Sequence, residues 1–253
     1  MSTHNLYTNT ANLYDFDNRE LLNYDLNISL DCLRKTKGDI LELACGTGRT
    51  TIPILNNASD RSITAIDLSD EMLAVFKKKI LKLSLLSDNL ELIKGDMCDF
   101  NLNKKFGLII LIWRSFQLLI QEEDSKKCLL KIREHMEKDS LFLINVFLPK
   151  ESYGEEWLGK EFLSYETIDE SNYKVVRSTK NLNSDEEKQI IEYASIYNIT
   201  SPDGNHEKLE DKMILRYYYP DQIKKLLTDY NFNIIEERKT EDDLFLICGL
   251  SQE

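Results

Sequence analysis

One stretch constrains the fold of this chain more than any other: Asp39-Ile40-Leu41-Glu42-Leu43-Ala44-Cys45-Gly46-Thr47-Gly48-Arg49-Thr50-Thr51. Residues 40–43 have the character of a short strand, and a turn of small residues follows at 44–48. Thr50, Thr51 and Pro53 then open a helix that continues through Ile54 and Leu55. Gly46 and Gly48 can take dihedrals closed to other residues and leave the main chain open to close approach. The helix start above them presents unpaired N–H groups. This is the strand–turn–helix unit of a parallel sheet, with room for a ligand at the turn.

The surrounding sequence repeats that unit. A helix is expected through Leu22, Leu26, Leu30 and Leu33, closed by Lys35 to Lys37 and Gly38. After the strand at 39–43 and the helix at 50–57, a second strand runs over 62–66. Ser69 caps a helix whose apolar face is Met72, Leu73, Phe76, Ile80 and Leu83. Strands follow at 90–93 and 108–112, then a helix at 122–137 and a strand at 141–147. This alternation predicts a doubly wound, mostly parallel α/β sheet.

The pattern changes at 150–217. Alternating aromatic and β-branched residues at 162–165, 174–177 and 190–199 are separated by the turn formers 183–185 and 201–205. They predict an inserted antiparallel β meander. A helix over 220–229 and strands at 234–235 and 244–247 close the chain. The expected organisation is a core domain of residues 1–149 and 218–253, with 1–37 as N-terminal lid and helix, and a cap at 150–217.

A net charge of −12 argues against a main affinity for nucleic-acid phosphates. The N-terminus lacks a signal-peptide pattern, and no apolar run is long enough to span a bilayer. Five cysteines without paired spacing read as reduced thiols of a cytoplasmic protein. The three histidines, His4, His135 and His206, are isolated, so no metal site is expected.

The glycine turn, Asp67 and Asp96 each follow one of three successive strands, where open parallel sheets bind ligands. An acid about 20 residues after a glycine turn can accept both ribose hydroxyls. A second acid after the third strand can accept from an adenine amine. Taken singly, the glycines are turn chemistry and the acids are cap or turn residues; their order points to a nucleoside. The third glycine of a dinucleotide fingerprint is replaced by Thr51, and the turn has no P-loop lysine.

These residues resemble the motifs of class I S-adenosylmethionine-dependent methyltransferases. Residues 41–49 look like the first motif, 66–73 like the second, and Gly95-Asp96-Met97 like the adenine-contacting one. The resemblance implies a seven-stranded Rossmann-like sheet with an antiparallel last strand and S-adenosyl-L-methionine as cofactor. It implies that Glu42, Ala44 and Gly46 line the methionine part, with Thr47, Gly48 and Ile112 also at the cofactor. Asp67 would bind the ribose, Leu68 and Met72 would flank the adenine, and Asp96 with Met97 would hold its amino edge. Tyr14 stands where small-molecule members carry a lid tyrosine; its alternative role is to anchor the N-terminal helix.

Trp113, Arg114 and Phe116 lie where substrate and methyl group would meet, without the Asn/Asp-Pro-Pro-aromatic signature of base and glutamine methylation. The two aromatics have core packing as their alternative, and Arg114 a salt bridge to a helix acid. Cys45 reads as a buried thiol and His206 as a solvated turn residue. No catalytic residue is indicated, because methyl transfer needs a base only when the nucleophile arrives protonated. The expected function is methyl transfer to N or O of a small molecule chosen by the cap, through which a homodimer could also form. The competing classes are a non-catalytic S-adenosylmethionine-binding regulator, an RNA methyltransferase and a nicotinamide oxidoreductase.

Overall fold

A computed structural model describes residues 7–17, 21–85 and 88–251. His4 lies outside the described residues. A 3-10 helix, Ala11–Phe16, precedes α1 (Leu21–Lys35), β1 (Ile40–Leu43), α2 (Thr51–Asn57), β2 (Ile63–Asp67) and α3 (Asp70–Lys82). Then come β3 (Leu90–Lys94), β4 (Phe106–Leu111), α4 (Glu122–His135) and β5 (Met136–Phe147). Four strands follow: β6 (Glu161–Ile168), β7 (Lys174–Asp185), β8 (Ile190–Thr200) and β9 (His206–Arg216). The chain ends with α5 (Pro220–Asp229), β10 (Phe232–Lys239) and β11 (Asp243–Leu250).

Seven strands form one sheet in the order β10-β11-β5-β4-β1-β2-β3. β1 pairs in parallel with β2 and β4, and β11 runs antiparallel to both β5 and β10. The order therefore reverses between β1 and β4, which opens a crevice beyond their carboxyl ends. Every residue of β4 is buried, as a central strand covered on both faces must be. Leu108 and Ile110 face the helices α1 and α2, and Ile109 and Leu111 face α4 and α5.

Residues 161–216 form a separate four-stranded antiparallel sheet, β6-β7-β8-β9, between β5 and α5. Two expectations need correcting here. The turn formers 183–185 do not turn the chain: β7 runs on to Asp185, and a register shift between Asn181 and Asn183 takes up the irregularity. His206 is not in the turn but opens β9, exposed, with Nδ1 2.9 Å from Thr200 Oγ1.

The N-terminal segment ties the two sheets together. Leu13 packs among Tyr165, Val175 and Tyr197 of the second sheet. Thr10 Oγ1 donates to Asp211 of β9 at 2.6 Å.

Candidate active site

The turn after β1 builds one wall of a cavity at the crevice. Ala44 takes φ 53°, Gly46 φ 55° and Gly48 φ 76°. The two glycines do different work. A Cβ on Gly46 would meet nothing within 4 Å, so its backbone stands open to the cavity. A Cβ on Gly48 would sit 2.2 Å from the Phe76 ring, so Gly48 is there to let α3 close on the turn.

Asp67 ends β2 with its carboxylate turned toward this wall. One oxygen accepts from Gly46 N at 2.7 Å and the other from Ser69 N at 2.8 Å. Burial nevertheless raises its proton affinity, against the opposing bonds from those N–H groups. Ser69 caps α3 by accepting from Met72 N at 3.2 Å, which fixes Met72 at the cavity edge.

This first cavity, of about 140 Å³, is lined by Tyr14, Ala44, Gly46, Asp67, Leu68, Met72, Asp96, Met97, Trp113 and Arg114 from the expected set. Sequence reasoning missed Tyr7, Arg49, Ser69 and the cap residues Tyr193, Met213 and Leu215, which also line it beside Cys45, Gly95, Ser115, Leu118 and Leu119. Arg49 was legible as a cation in the turn, but its reach depends on the lid. Its guanidinium lies 4.9 Å from the Tyr14 ring and 5.1 Å from the Trp113 ring, and donates to Tyr14 O at 2.8 Å.

Five expected residues do not line the cavity. Glu42 is buried beneath the turn, where Thr51 Oγ1 donates to it at 2.5 Å. Burial pushes its carboxyl up to about 8, against the Thr51 bond, with Asp67 adding to the rise. Thr47 is buried and donates to Asp15 at 2.8 Å, and Gly48 packs on Phe76 as above. Ile112 belongs to the core under α1 and α2. Phe116 is fully buried against Tyr218, on the opposite side of the sheet.

Trp113 and Arg114 follow β4 with consecutive positive φ values of 61° and 62°. Non-glycine residues rarely adopt that conformation, and such strain gathers at functional sites. Trp113 Nε1 donates to Thr50 Oγ1 at 3.0 Å. Arg114 makes two 2.7 Å bonds to Asp243, so its partner is a strand acid rather than the helix acid considered from sequence.

A second cavity of about 400 Å³ adjoins the first and lies between the large sheet and the cap. Tyr7, Tyr14, Arg49, Trp113, Arg114, Tyr193 and Leu215 border both. Tyr153, Trp157 and Tyr197 wall it from the cap side, and Asp25, Arg177 and Asp243 bring charge to it. Its volume suits a molecule of sugar size.

Known proteins resemble the chain in sequence and in fold. Residues 40–139 match a family model described as a methyltransferase domain. A Geobacillus sp. (strain WCH70) protein named "Putative methyltransferase" is 22% identical over 78% of this chain and 74% of its own length. A crystal structure of an S-adenosylmethionine-dependent methyltransferase from Clostridium acetobutylicum superposes with a TM-score of 0.74, at 21% identity over 96% of both chains. That of S-adenosylmethionine-bound CalS10, an amino pentose methyltransferase from Micromonospora echinaspora, gives 0.72 at 13% identity over 94% and 95% of the two chains.

The fold is the Rossmann-like α/β fold of class I methyltransferases, and the matched domain spans its β1 to β5 half. Residues 40–139 are a methyltransferase domain by that match, and the proteins whose fold the chain shares include S-adenosylmethionine-dependent enzymes. Among the described residues, no helix is long and apolar enough to cross a membrane.

Proposed function

We propose that the chain methylates a nitrogen or oxygen of a small molecule held in the larger cavity, with S-adenosylmethionine in the smaller. The observation that carries this reading is the shared border: seven residues line both the first cavity and the chamber beside the cap. A binding protein without transferase activity has no need of that chamber. The charge of −12 disfavours RNA.

The residues at the first cavity fit the cofactor. Gly46 leaves space against its backbone, and Ala44 lies beside it for the methionine portion. Asp67 accepts the ribose hydroxyls, Leu68 and Met72 flank the adenine, and Asp96 with Met97 meets its amino edge. When bound, the cofactor supplies an activated methyl carbon whose bonding pair stays with sulfur. The protein's task is then alignment and exclusion of water, which Tyr14, Arg49 and Trp113 serve by framing the border that the two cavities share.

The acceptor is most simply an amine. Asp25 is a buried acid at the chamber, and one structural relative acts on an amino pentose. The cap, residues 150–217, selects it, and the edge of the cap sheet joins two copies of the chain. All five cysteines are free and buried, which suits the reducing cytoplasm.

The test is methylation of a panel of amino sugars and their hydroxyl counterparts, read by mass spectrometry, beside a titration with S-adenosylhomocysteine. Methylated amines support the reading; tight binding of the product cofactor with no methylation across the panel would overturn it. Asp67→Ala should weaken that binding by roughly tenfold or more, the worth of one charged hydrogen bond. Unchanged affinity removes Asp67 from the site.

A further inference from the structure

The chamber wall carries a deeply buried acid whose carboxylate no side chain among the described residues bonds. Asp25, on α1, is only 7% exposed and lines the larger cavity. Its backbone carbonyl accepts from Ser29 Oγ, but no side chain among the described residues bonds its carboxylate. The neighbouring cations are committed elsewhere. Arg114 gives two bonds to Asp243, and Arg49 is held by Tyr14 O between the Tyr14 and Trp113 rings. A carboxylate so buried is stable as an anion only when a cation or donors reach it.

We propose that Asp25 is the acceptor's nitrogen subsite: it receives the substrate as an ammonium ion and takes one proton from it. This rests on the methyl-transfer reading above and names the substrate class as a primary or secondary amine that is protonated in water. The step balances within the pair. An N–H bond breaks, an O–H bond forms on Asp25, and the electron pair stays on nitrogen as the nucleophile. Ammonium and carboxylate become amine and carboxylic acid, and Asp25 later returns its proton to solvent.

The surroundings suit that exchange. Burial raises the proton affinity of Asp25, Asp243 of β11 raises it further, and Arg114, a backbone hydrogen bond and Arg49 lower it, to a balance at about 7. A group poised there can both accept and release a proton near neutrality. Arg114 acts on Asp25 from a distance and holds Asp243, so it is a positioning residue.

The experiment uses the full chain saturated with S-adenosylhomocysteine and carbon-13-labelled at aspartate carboxyls. The Asp25 signal is assigned by its loss in Asp25→Asn, or in Asp25→Ser should the first not fold. Its titration is followed with and without excess methylammonium, against sodium at equal ionic strength. The expected result is a midpoint near neutrality that methylammonium lowers by roughly half a unit, a threefold change in proton affinity. A midpoint indifferent to methylammonium overturns the proposal. If S-adenosylhomocysteine does not bind at all, the methyl-transfer reading fails instead, so the two failures are separable. With an amine substrate in hand, Asp25→Asn should also lose the acid limb of the kcat/KM profile, which a purely structural role would leave in place.

Discussion

At the scale of single residues, the glycine turn divides its tasks, and substitution can separate them. Gly48→Ala adds a methyl group into the Phe76 ring at a positive φ. It should cost about 2–4 kcal/mol of stability, read by urea denaturation. Gly46→Ala meets open space, so its cost is the left-handed strain alone, about 1–2 kcal/mol. That methyl group would point into the cofactor cavity and weaken S-adenosylhomocysteine instead. Equal stability losses in the two variants would contradict this division. Glu42 gives a pH signature. Its folded proton affinity, about 8, lies above the ordinary 4.5, so the folded state holds a proton the unfolded chain has lost. That contribution falls as pH rises from the unfolded value through the folded one and then levels off. Glu42→Gln removes it, so the variant should gain on the wild type by about 2–4 kcal/mol between about pH 5 and pH 9. A pH-independent difference would show that Glu42 is ionised when folded.

At the scale of elements, what was legible depended on whether the signal was local. β4 declared itself by an unbroken apolar run, α3 by Ser69 and α5 by Pro220, and all three formed where expected. β9 was hidden, because a strand written His-Glu-Lys-Leu-Glu-Asp-Lys is half solvated and its polar residues carry no periodic signal. β5 begins at Met136, directly after α4, where charged residues 137–139 disguise its start. Asp67 and Asp96 were readable as cavity residues because one ends β2 and the other lies two residues past β3, at the sheet's carboxyl edge. Phe116 and Ile112 were not separable from site residues, since one step along the chain decides between core and cavity. Asp25 and Tyr7 were invisible for the opposite reason: α1 and the lid reach the cavity only through tertiary packing. The 3-10 helix Ala11–Phe16 is bolted down by Asp15, which accepts from Thr47 Oγ1 at 2.8 Å and pairs with Lys79 at 2.9 Å. Asp15→Ala should raise the KM for S-adenosylmethionine several-fold, roughly the loss of about 1 kcal/mol, with little change in global stability. A variant with unchanged KM but lowered stability would make the lid a structural brace.

At the scale of the whole molecule, the cap sheet is left with open edges, and β6 is one of them. Leu163 and Ile168 on that strand are 67% and 64% exposed, and Phe162 is exposed beside them. Unpaired backbone groups flanked by apolar side chains invite a partner strand. Two chains each carrying −12 repel one another, so association through β6 must rest on apolar contact and strand pairing. Added salt would therefore strengthen it by screening that repulsion, the reverse of an interface built on ion pairs. Analytical ultracentrifugation should find a dimer whose dissociation constant falls as sodium chloride rises. Leu163→Lys places a charge on the edge and should yield monomer, with S-adenosylhomocysteine affinity intact because Leu163 borders neither cavity. A wild-type chain that stays monomeric at every salt concentration would remove the dimer. A Leu163→Lys chain that remains dimeric would move the contact away from β6.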